Sequence, residues 1–199
     1  MSLIRLDDIR VRVSLLIVAG VLSLVAVFCW AMFWPASYGN IRPYREEDRT
    51  ALKNMLEQDW YWLVSQDATD FSMDYLLDHQ AATFHYPDNS LTVMVYEDDH
   101  KPAGFVTYHL LDGYTGRIQF LVVAREYRKK GYGKLLLEYA LQDFKKRGIC
   151  FVKLAVRDNN FSAQKLYEQL GFQVTDSSKG FLFLTKELCS SQAFAQEGY

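Results

Sequence analysis

One segment of this 199-residue chain decides its fold, the glycine turn Arg128-Lys129-Lys130-Gly131-Tyr132-Gly133-Lys134. The turn follows an apolar stretch that ends at Val123, and it opens a helical pattern that continues to Lys146. Glycine lets the backbone adopt positive φ and approach a ligand closely. Unpaired amides at the start of a helix, together with the helix dipole, favour an anion. The basic side chains of the turn add to this attraction, so the segment predicts a diphosphate site.

Two better-known phosphate-binding motifs do not fit the glycine turn. The patterns G-x-x-x-x-G-K-[ST] and G-x-G-x-x-G are both absent from the segment. Taken alone, the turn is equally compatible with a plain connection between a strand and a helix.

A second segment with a distinctive pattern lies downstream, Asn160-Phe161-Ser162-Ala163-Gln164-Lys165-Leu166-Tyr167-Glu168-Gln169-Leu170-Gly171-Phe172. Its apolar residues recur at helical spacing, and Gly171 is placed where helices commonly end. Without further context, Tyr167 is interpreted as a core aromatic residue whose hydroxyl bonds to the backbone.

The rest of the chain after residue 40 alternates between strand and helix patterns, which predicts an α/β domain. The predicted strands are residues 41–44, 91–96, 103–111, 116–123, 150–156, 172–175 and 180–185. The predicted helices are residues 46–66, 71–78, 132–146 and 161–170. Turns are predicted at Asp112-Gly113 and at Ser177-Ser178.

In this order, the two segments resemble the GNAT superfamily of acetyl-CoA-dependent N-acetyltransferases. The family pattern combines Arg/Gln-x-x-Gly-x-Gly/Ala after a strand with Asn-x-x-Ala-x-x-Leu-Tyr-x-x-x-Gly-Phe after the next strand. This chain matches the pattern at nine positions: Arg128, Gly131, Gly133, Asn160, Ala163, Leu166, Tyr167, Gly171 and Phe172. The resemblance covers residues 41–188 and implies the GNAT fold, a mixed, mostly antiparallel twisted sheet flanked by helices.

The resemblance also implies roles for individual residues. Main-chain groups of Leu121, Val122 and Val123 would pair with the pantetheine arm, which would enter between splayed parallel strands. Amides of the glycine turn would hold the diphosphate: Arg128, Lys129, Lys130, Gly131, Tyr132, Gly133 and Lys134. Asn160 would contact the cofactor arm, and Tyr167 would donate a proton to the departing thiolate. The implied activity is transfer of an acetyl group from acetyl-CoA to a primary amine by direct attack, without a metal.

The chain departs from the family pattern in the strand that precedes the glycine turn. Many relatives carry a glutamate where this chain has Gln119, and Arg117 occupies another position that some members use. Neither side chain accepts a proton at neutral pH. The general base is therefore unassigned, and the candidates are a water chain, Tyr108, His109 and Asp112. The departure also allows a second hypothesis, an adaptor tethered to a membrane that binds acetyl-CoA but catalyses poorly or not at all.

The N-terminal part of the chain predicts a single-pass transmembrane helix. No charged residue occurs in the 22 residues from 13 to 34, and as a helix they would span roughly 33 Å against a hydrocarbon core of ~30 Å. The segment is apolar on every face, and its end is too bulky for a cleaved signal peptide. The expected organisation is a tail (1–12), the transmembrane helix (13–34), a linker (35–40), the acetyltransferase domain (41–188) and a second tail (189–199).

Composition and charge limit the partners and the compartment. A net charge of −2 and a pI near 6.1 argue against nucleic-acid binding. Cys29, Cys150 and Cys189 are too few and too widely spaced to predict a zinc site or a disulfide framework, so Cys150 is expected to be a small buried hydrophobe. The expected partners are acetyl-CoA, an amine acceptor of unknown kind and the lipid bilayer. Because acetyl-CoA is available chiefly in the cytosol, the domain is expected there, although arginines before residue 13 favour the opposite orientation.

The acceptor is expected to meet the helices predicted between residues 46 and 78. This region is rich in aromatic residues, of which most are expected to pack in the core: Trp60, Tyr61, Trp62, Phe71 and Tyr75. No sequence feature separates a protein amine from a polyamine or an amino sugar.

Overall fold

The structure is a computed structural model that describes residues 38–64 and 91–189. The predicted transmembrane segment 13–34 and the predicted helix 71–78 lie outside these residues. Among the residues that the structure does describe, no helix combines the length and the apolar character that a membrane crossing needs.

Strands and helices alternate along the described part of the chain, as the α/β prediction requires. The strands are β1 (Ile41–Pro43), β2 (Thr92–Asp98), β3 (Lys101–Leu110), β4 (Thr115–Val123), β5 (Phe151–Arg157), β6 (Gln173–Ser178) and β7 (Phe181–Glu187). The α-helices are α1 (Arg49–Leu63), α2 (Tyr132–Lys146) and α3 (Phe161–Gln169), with 3₁₀ turns at Glu46–Asp48 and Arg125–Tyr127. The predicted bounds of α2 agree with the structure at both ends.

All seven strands join one twisted sheet in the order β1-β2-β3-β4-β5-β7-β6. Every neighbouring pair is antiparallel except β4 and β5, which run parallel. The mixed, mostly antiparallel sheet expected from the family resemblance is therefore confirmed.

Helices cover both faces of this sheet. The buried face of α2, with Leu136 and Phe144, packs together with α3 on one side. The buried residues Leu52 and Leu56 of α1 pack against Phe105 on the other side. We call these two sides the α2 face and the α1 face.

A glycine allows α2 to lie directly on β4. A Cβ atom at Gly116 would fall 2.3 Å from Cε1 of the Phe144 ring, closer than packed atoms tolerate. Phe144 is fully buried. The position therefore requires glycine because of the close approach of the two elements.

One sequence-based expectation, a free Cys150, is wrong. Cys150 forms a disulfide with Cys189, and their Cα atoms are 4.8 Å apart. The two residues meet because β5 and β7 pair antiparallel, with Phe151 opposite Glu187. The first residue of the predicted C-terminal tail is thus bonded to the domain.

The predicted turn between the last two strands is also misplaced. Ser177 and Ser178 remain in β6, and the chain reverses at Lys179-Gly180. Both turn residues have positive φ, 51° at Lys179 and 76° at Gly180. Such a pair suits the twist of a tight hairpin, and Gly180 adopts it without a steric penalty.

Candidate active site

The parallel strands β4 and β5 separate partway along their length. They pair at Thr115 with Phe151, Gly116 with Val152, and Arg117 with Lys153. Beyond this last pair, β4 continues to pair only with β3, and β5 only with β7. The result is a gap flanked by residues 118–123 of β4 and 154–157 of β5, where backbone groups are available to a ligand. The gap matches the splay that the family resemblance implies.

The predicted pantetheine-binding residues Leu121, Val122 and Val123 lie along this gap. The carbonyl of Val123 already accepts a hydrogen bond from Nε of Arg128, at 3.0 Å. The amide of Ala124 donates to the carbonyl of Ala103 in β3, and main-chain groups of successive residues point to opposite sides of a strand. The main-chain groups that face the gap are therefore those of Leu121 and Val123.

Gln119 lies at an irregularity of β4 beside the gap. Thr107 of β3 faces Phe120 and Tyr108 faces Ile118, so Gln119 has no partner residue in β3. Bulges of this kind often redirect a side chain next to an active site. The side-chain Oε1 of Gln119 is buried and has no hydrogen-bond partner. A polar ligand or a water molecule in the gap would satisfy it.

The backbone amides of the glycine turn are open to an anion. Lys129 and Gly131 have positive φ, 62° and 88°. Gly131 caps α2, and the first helical hydrogen bond runs from the amide of Leu135 to the carbonyl of Gly131, at 3.1 Å. Across the described ranges 38–64 and 91–189, no backbone carbonyl or capping side chain accepts a hydrogen bond from the amides of residues 129–134. The amides are thus not capped internally, which is what an anion-binding helix start requires.

Two side chains of the glycine turn, Lys130 and Tyr132, contact residues at the end of β2. The hydroxyl of Tyr132 donates to Asp98 at 2.8 Å, and Nζ of Lys130 lies 3.4 Å from the same carboxylate. The Tyr132 ring stacks on Tyr96 with centroids 4.2 Å apart. Lys130 also lies over the Tyr127 ring, 5.0 Å from its centroid. These contacts join the turn to the end of β2.

The side chain of Arg128 contacts two other elements of the domain. Its guanidinium donates to the carboxylate of Asp59 in α1 and to the carbonyl of Val123. Arg128 therefore ties α1 to the end of β4. Among the basic side chains of the turn, Lys134 lies 3.7 Å from Glu138 and stays more than half exposed.

Sequence reasoning missed Asp59. One carboxylate oxygen binds Arg128, whereas Oδ1 is buried and has no hydrogen-bond partner. The residue lies near the end of α1 among aromatic residues, where a negative charge opposes the helix dipole. This unfavourable placement of a negative charge is the sequence feature that could have identified Asp59.

The second segment places Asn160 and Tyr167 on α3. Oδ1 of Asn160 accepts a hydrogen bond from the amide of Ala163 at 3.2 Å, so the residue caps the helix. Its side-chain NH₂ remains for the predicted contact with the cofactor arm. Tyr167 is buried and packs edge-on against Phe172, with centroids 5.9 Å apart. Burial raises the pKa of Tyr167 to about 12, so the hydroxyl keeps its proton at neutral pH.

The glycine turn, the gap and α3 meet at Gly133. A Cβ atom at this position would lie 3.6 Å from Val123 Cγ2 and 3.7 Å from Leu166 Cδ2. Val123 ends β4, and Leu166 precedes Tyr167. The structure therefore brings together the two segments that carry the family pattern.

The structure assigns other roles to two of the candidate bases. Tyr108 points to the α2 face, where its hydroxyl donates to Asp143 at 2.9 Å, and burial raises its pKa well above the usual range. Asp112 accepts hydrogen bonds from the amides of Tyr114 and Thr115, at 2.8 and 2.6 Å, and so shapes the turn before β4. His109 faces the α1 face, and burial, with the charge of Arg117, lowers its pKa to about 4.

Comparison with known proteins agrees with this geometry. The sequence model of the Acetyltransferase (GNAT) family matches residues 50–172, more than half of the chain. The chain belongs to the GNAT family. It is 28% identical over 119 residues to the ribosomal protein bS18-alanine N-acetyltransferase of Escherichia coli K12, covering 55% of this chain and 79% of that protein. The Haemophilus ducreyi protein of the same name is 33% identical over 129 residues, covering 62% and 83%.

A solved structure shows the same fold. The PaiA N-acetyltransferase of Thermoplasma acidophilum, in complex with coenzyme A, superposes with a TM-score of 0.62 at 23% identity, covering 74% of this chain and 98% of that chain. The chain described here is therefore a GNAT acetyltransferase that uses acetyl-CoA. The open amides beside the gap fit such a ligand. Within residues 38–64 and 91–189, no group of three His, Cys, Asp or Glu side chains is placed to hold a metal ion.

Proposed function

We propose that the domain transfers the acetyl group of acetyl-CoA to a primary amine by direct attack. The observation that carries the proposal is the set of open amides at residues 129–134, next to the gap between β4 and β5. In this proposal the amides hold the diphosphate, and the gap admits the pantetheine arm.

The residues around the gap supply the remaining chemistry. The amine attacks as the neutral base, forms the C–N bond and releases its proton to water. A main-chain amide of β4 near Val123 stabilises the developing oxyanion. As the C–S bond breaks, the Tyr167 hydroxyl gives its proton to the thiolate and is reprotonated from solvent. The Tyr167 hydroxyl is protonated at neutral pH, so its proton is available for this transfer.

Thiol release from acetyl-CoA, measured with a panel of primary amines, tests the proposal. Gly131→Trp places a bulky side chain over the open amides and should abolish coenzyme A binding and turnover. Gly148→Trp is the matched control at the other end of α2, because both glycines have positive φ and open space beyond Cα. Equal coenzyme A affinity in the two variants would contradict the proposed cradle.

The second candidate is a membrane-tethered adaptor that binds acetyl-CoA without turnover. Gln119 favours it, because an amide replaces the acid that many relatives carry. Saturable coenzyme A binding with no acetylation of any amine in the panel would support this candidate and contradict the first.

We also propose that residues 13–34 anchor the protein in a membrane, with the domain on the cytosolic side. The support is the uncharged length of the segment and the cytosolic supply of acetyl-CoA. Two features argue for the other side: the arginines before residue 13 and the Cys150–Cys189 disulfide, which persists in oxidising compartments. Retention of the chain in carbonate-washed membranes tests the anchor. Digestion of the domain by protease added to intact cells would contradict the cytosolic placement.

A further inference from the structure

Arg157, the last residue of β5, binds the end of α1. Its Nε donates to the carbonyl of Tyr61, and its Nη2 donates to the carbonyl of Val64 at 2.9 Å. The last carbonyls of a helix have no partner within the helix, and the helix dipole favours a positive charge beside them. The guanidinium also packs over two rings, with its Cζ 4.2 Å from the centroid of Tyr61 and 4.7 Å from that of Phe181. Arg157 is buried, so these contacts are part of the interior of the domain.

Two further arginines bind the same end of α1 from the side of β4. Nη2 of Arg125, in the 3₁₀ turn after β4, donates to the carbonyl of Gln58 at 3.0 Å. Arg128 donates to the carboxylate of Asp59 and to the carbonyl of Val123, the last residue of β4. The end of α1 is therefore bonded to the ends of both strands that flank the gap.

These bonds lie at the open end of the gap, where the two strands do not pair with each other. The last pair of the β4–β5 ladder is Arg117 with Lys153. Beyond it, β4 bonds to β3 and β5 bonds to β7, so the separation of the two strands depends on the elements packed across them. On the α1 face, α1 packs on Val122 of β4 and is bonded to Arg157 of β5. The end of α1 thus connects the two sides of the gap.

The main chain of Arg157 is bonded to the start of α3. Its carbonyl accepts hydrogen bonds from the amide of Asn160 and from Nε2 of Gln164, both at 3.0 Å. Asn160 is the residue expected to contact the cofactor arm, and α3 also carries Tyr167. One buried side chain and its carbonyl therefore connect α1, the open end of β5 and the helix of the proposed proton donor.

We propose that Arg157 is a positioning residue that sets the width of the gap for the pantetheine arm. This inference rests on the proposed acetyl transfer, in which the arm lies in the gap. The guanidinium acts through α1 and not on the reacting atoms. Arginine suits this role because its planar fork donates to two carbonyls while its face packs on aromatic rings, which the ammonium of lysine cannot do. A misplacement of about 1 Å, caused away from the chemistry, can lower a rate about a hundredfold.

Arg157→Met tests the proposal, because methionine fills the space of the arginine stem and removes both donors. In the full chain in detergent micelles, kcat/KM for acetyl-CoA should fall at least about tenfold. Thiol release with the most reactive amine of the panel measures it. Calorimetric titration with 3′-phospho-ADP, the half of coenzyme A that has the diphosphate but not the arm, should show an affinity within about twofold of the wild type. A purely structural role would weaken both together.

Arg42→Met is the matched control. Arg42 is also a partly buried arginine, bonded to Asp48 at 2.7 and 2.9 Å and to Glu97 at 2.6 Å. It lies in β1, which β2 and β3 separate from β4. Its loss removes the arginine partner of a buried carboxylate and should destabilise the domain. Well below the melting temperature, however, kcat/KM for acetyl-CoA should stay within about twofold of the wild type.

The outcomes separate the two levels of the argument. Arg157→Lys serves if the methionine variant does not fold, with a smaller loss in the same direction. An unchanged kcat/KM in the folded Arg157 variant, an equal loss in Arg42→Met, or an equal loss of 3′-phospho-ADP affinity would overturn the positioning role and leave acetyl transfer intact. No acetylation of any amine in the panel by the wild-type chain would overturn the proposed function, and the inference with it.

Discussion

Replacing Tyr167 by phenylalanine should separate catalysis from folding. The ring keeps its buried position and its contact with Phe172, and the hydroxyl forms no hydrogen bond to any residue in the described part of the chain. The free energy of unfolding should therefore change by less than about 0.5 kcal/mol. Loss of a general acid typically lowers the rate by about 10²–10⁴-fold, so kcat should fall at least a hundredfold. Thiol release measures kcat, and calorimetric titration should show nearly unchanged coenzyme A affinity.

Tyr108→Phe is the control for this substitution. Tyr108 is also a buried tyrosine, but its hydroxyl donates to Asp143 at 2.9 Å on the α2 face. Removing a hydrogen bond to a charged group costs about 1.5–3 kcal/mol, so this variant should melt earlier. The loss is at the low end because Asp143 keeps its ion pair with Arg147 at 2.7 Å. Its kcat, measured well below its melting temperature, should match that of the wild type.

Tyr167→Phe should lower kcat without changing stability, whereas Tyr108→Phe should lower stability without changing kcat. A Tyr167→Phe variant that turns over at the wild-type rate would refute the proton-donor role. If Tyr167→Phe lowers both kcat and stability, the loss has the signature of a packing defect. That result would refute the argument that the hydroxyl has no structural role.

Three further predictions concern stability and pH. Gly116→Ala should lower the free energy of unfolding by about 1–3 kcal/mol in denaturant titrations, because the added methyl meets the Phe144 ring at 2.3 Å. Reduction of Cys150–Cys189, which closes a loop with a sequence separation of 39, should cost about 4 kcal/mol in the chain-entropy account and lower the melting temperature. The lowered pKa of His109, about 4, means that the unfolded chain binds more protons between pH about 6.5 and 4. Stability should fall across this window as pH falls, and His109→Gln should flatten the fall.

Each of these predictions has a control. Gly113→Ala adds the same methyl where no atom lies within 4 Å and should leave the melting temperature nearly unchanged. Dithiothreitol should not shift the melting temperature of a Cys189→Ser variant. A stability profile between pH 4 and 6.5 that is the same with and without the histidine would contradict the His109 assignment.

The sequence predicted the main features of the fold because its patterns are local. The glycine turn, the apolar stripe of α2 and the terminal Gly171 each act over a few residues, and α2 begins and ends where the pattern indicates. The paired segments at GNAT spacing then indicated the sheet type and the gap. The hairpin turn was misplaced because two serines offered a plausible turn next to Lys179-Gly180, where glycine stabilises the positive φ.

The remaining features depend on which distant residues the fold brings together. Cys150 and Cys189 meet only because of the register between β5 and β7. Arg128 pairs with Asp59 of α1, which is distant from it in the sequence. Lys153 pairs with Arg117 and with Thr185 because of the strand register, which hydrophobic periodicity does not specify.

Hydrogen–deuterium exchange of the glycine turn, with and without saturating coenzyme A, tests the central claim most directly. The amides of residues 129–134 have no hydrogen-bond acceptor among the described residues and should exchange fast in the free protein. Coenzyme A should slow their exchange strongly, whereas pantetheine, which lacks the diphosphate, should not. Unchanged exchange at residues 129–134 in the fully loaded protein would contradict the account.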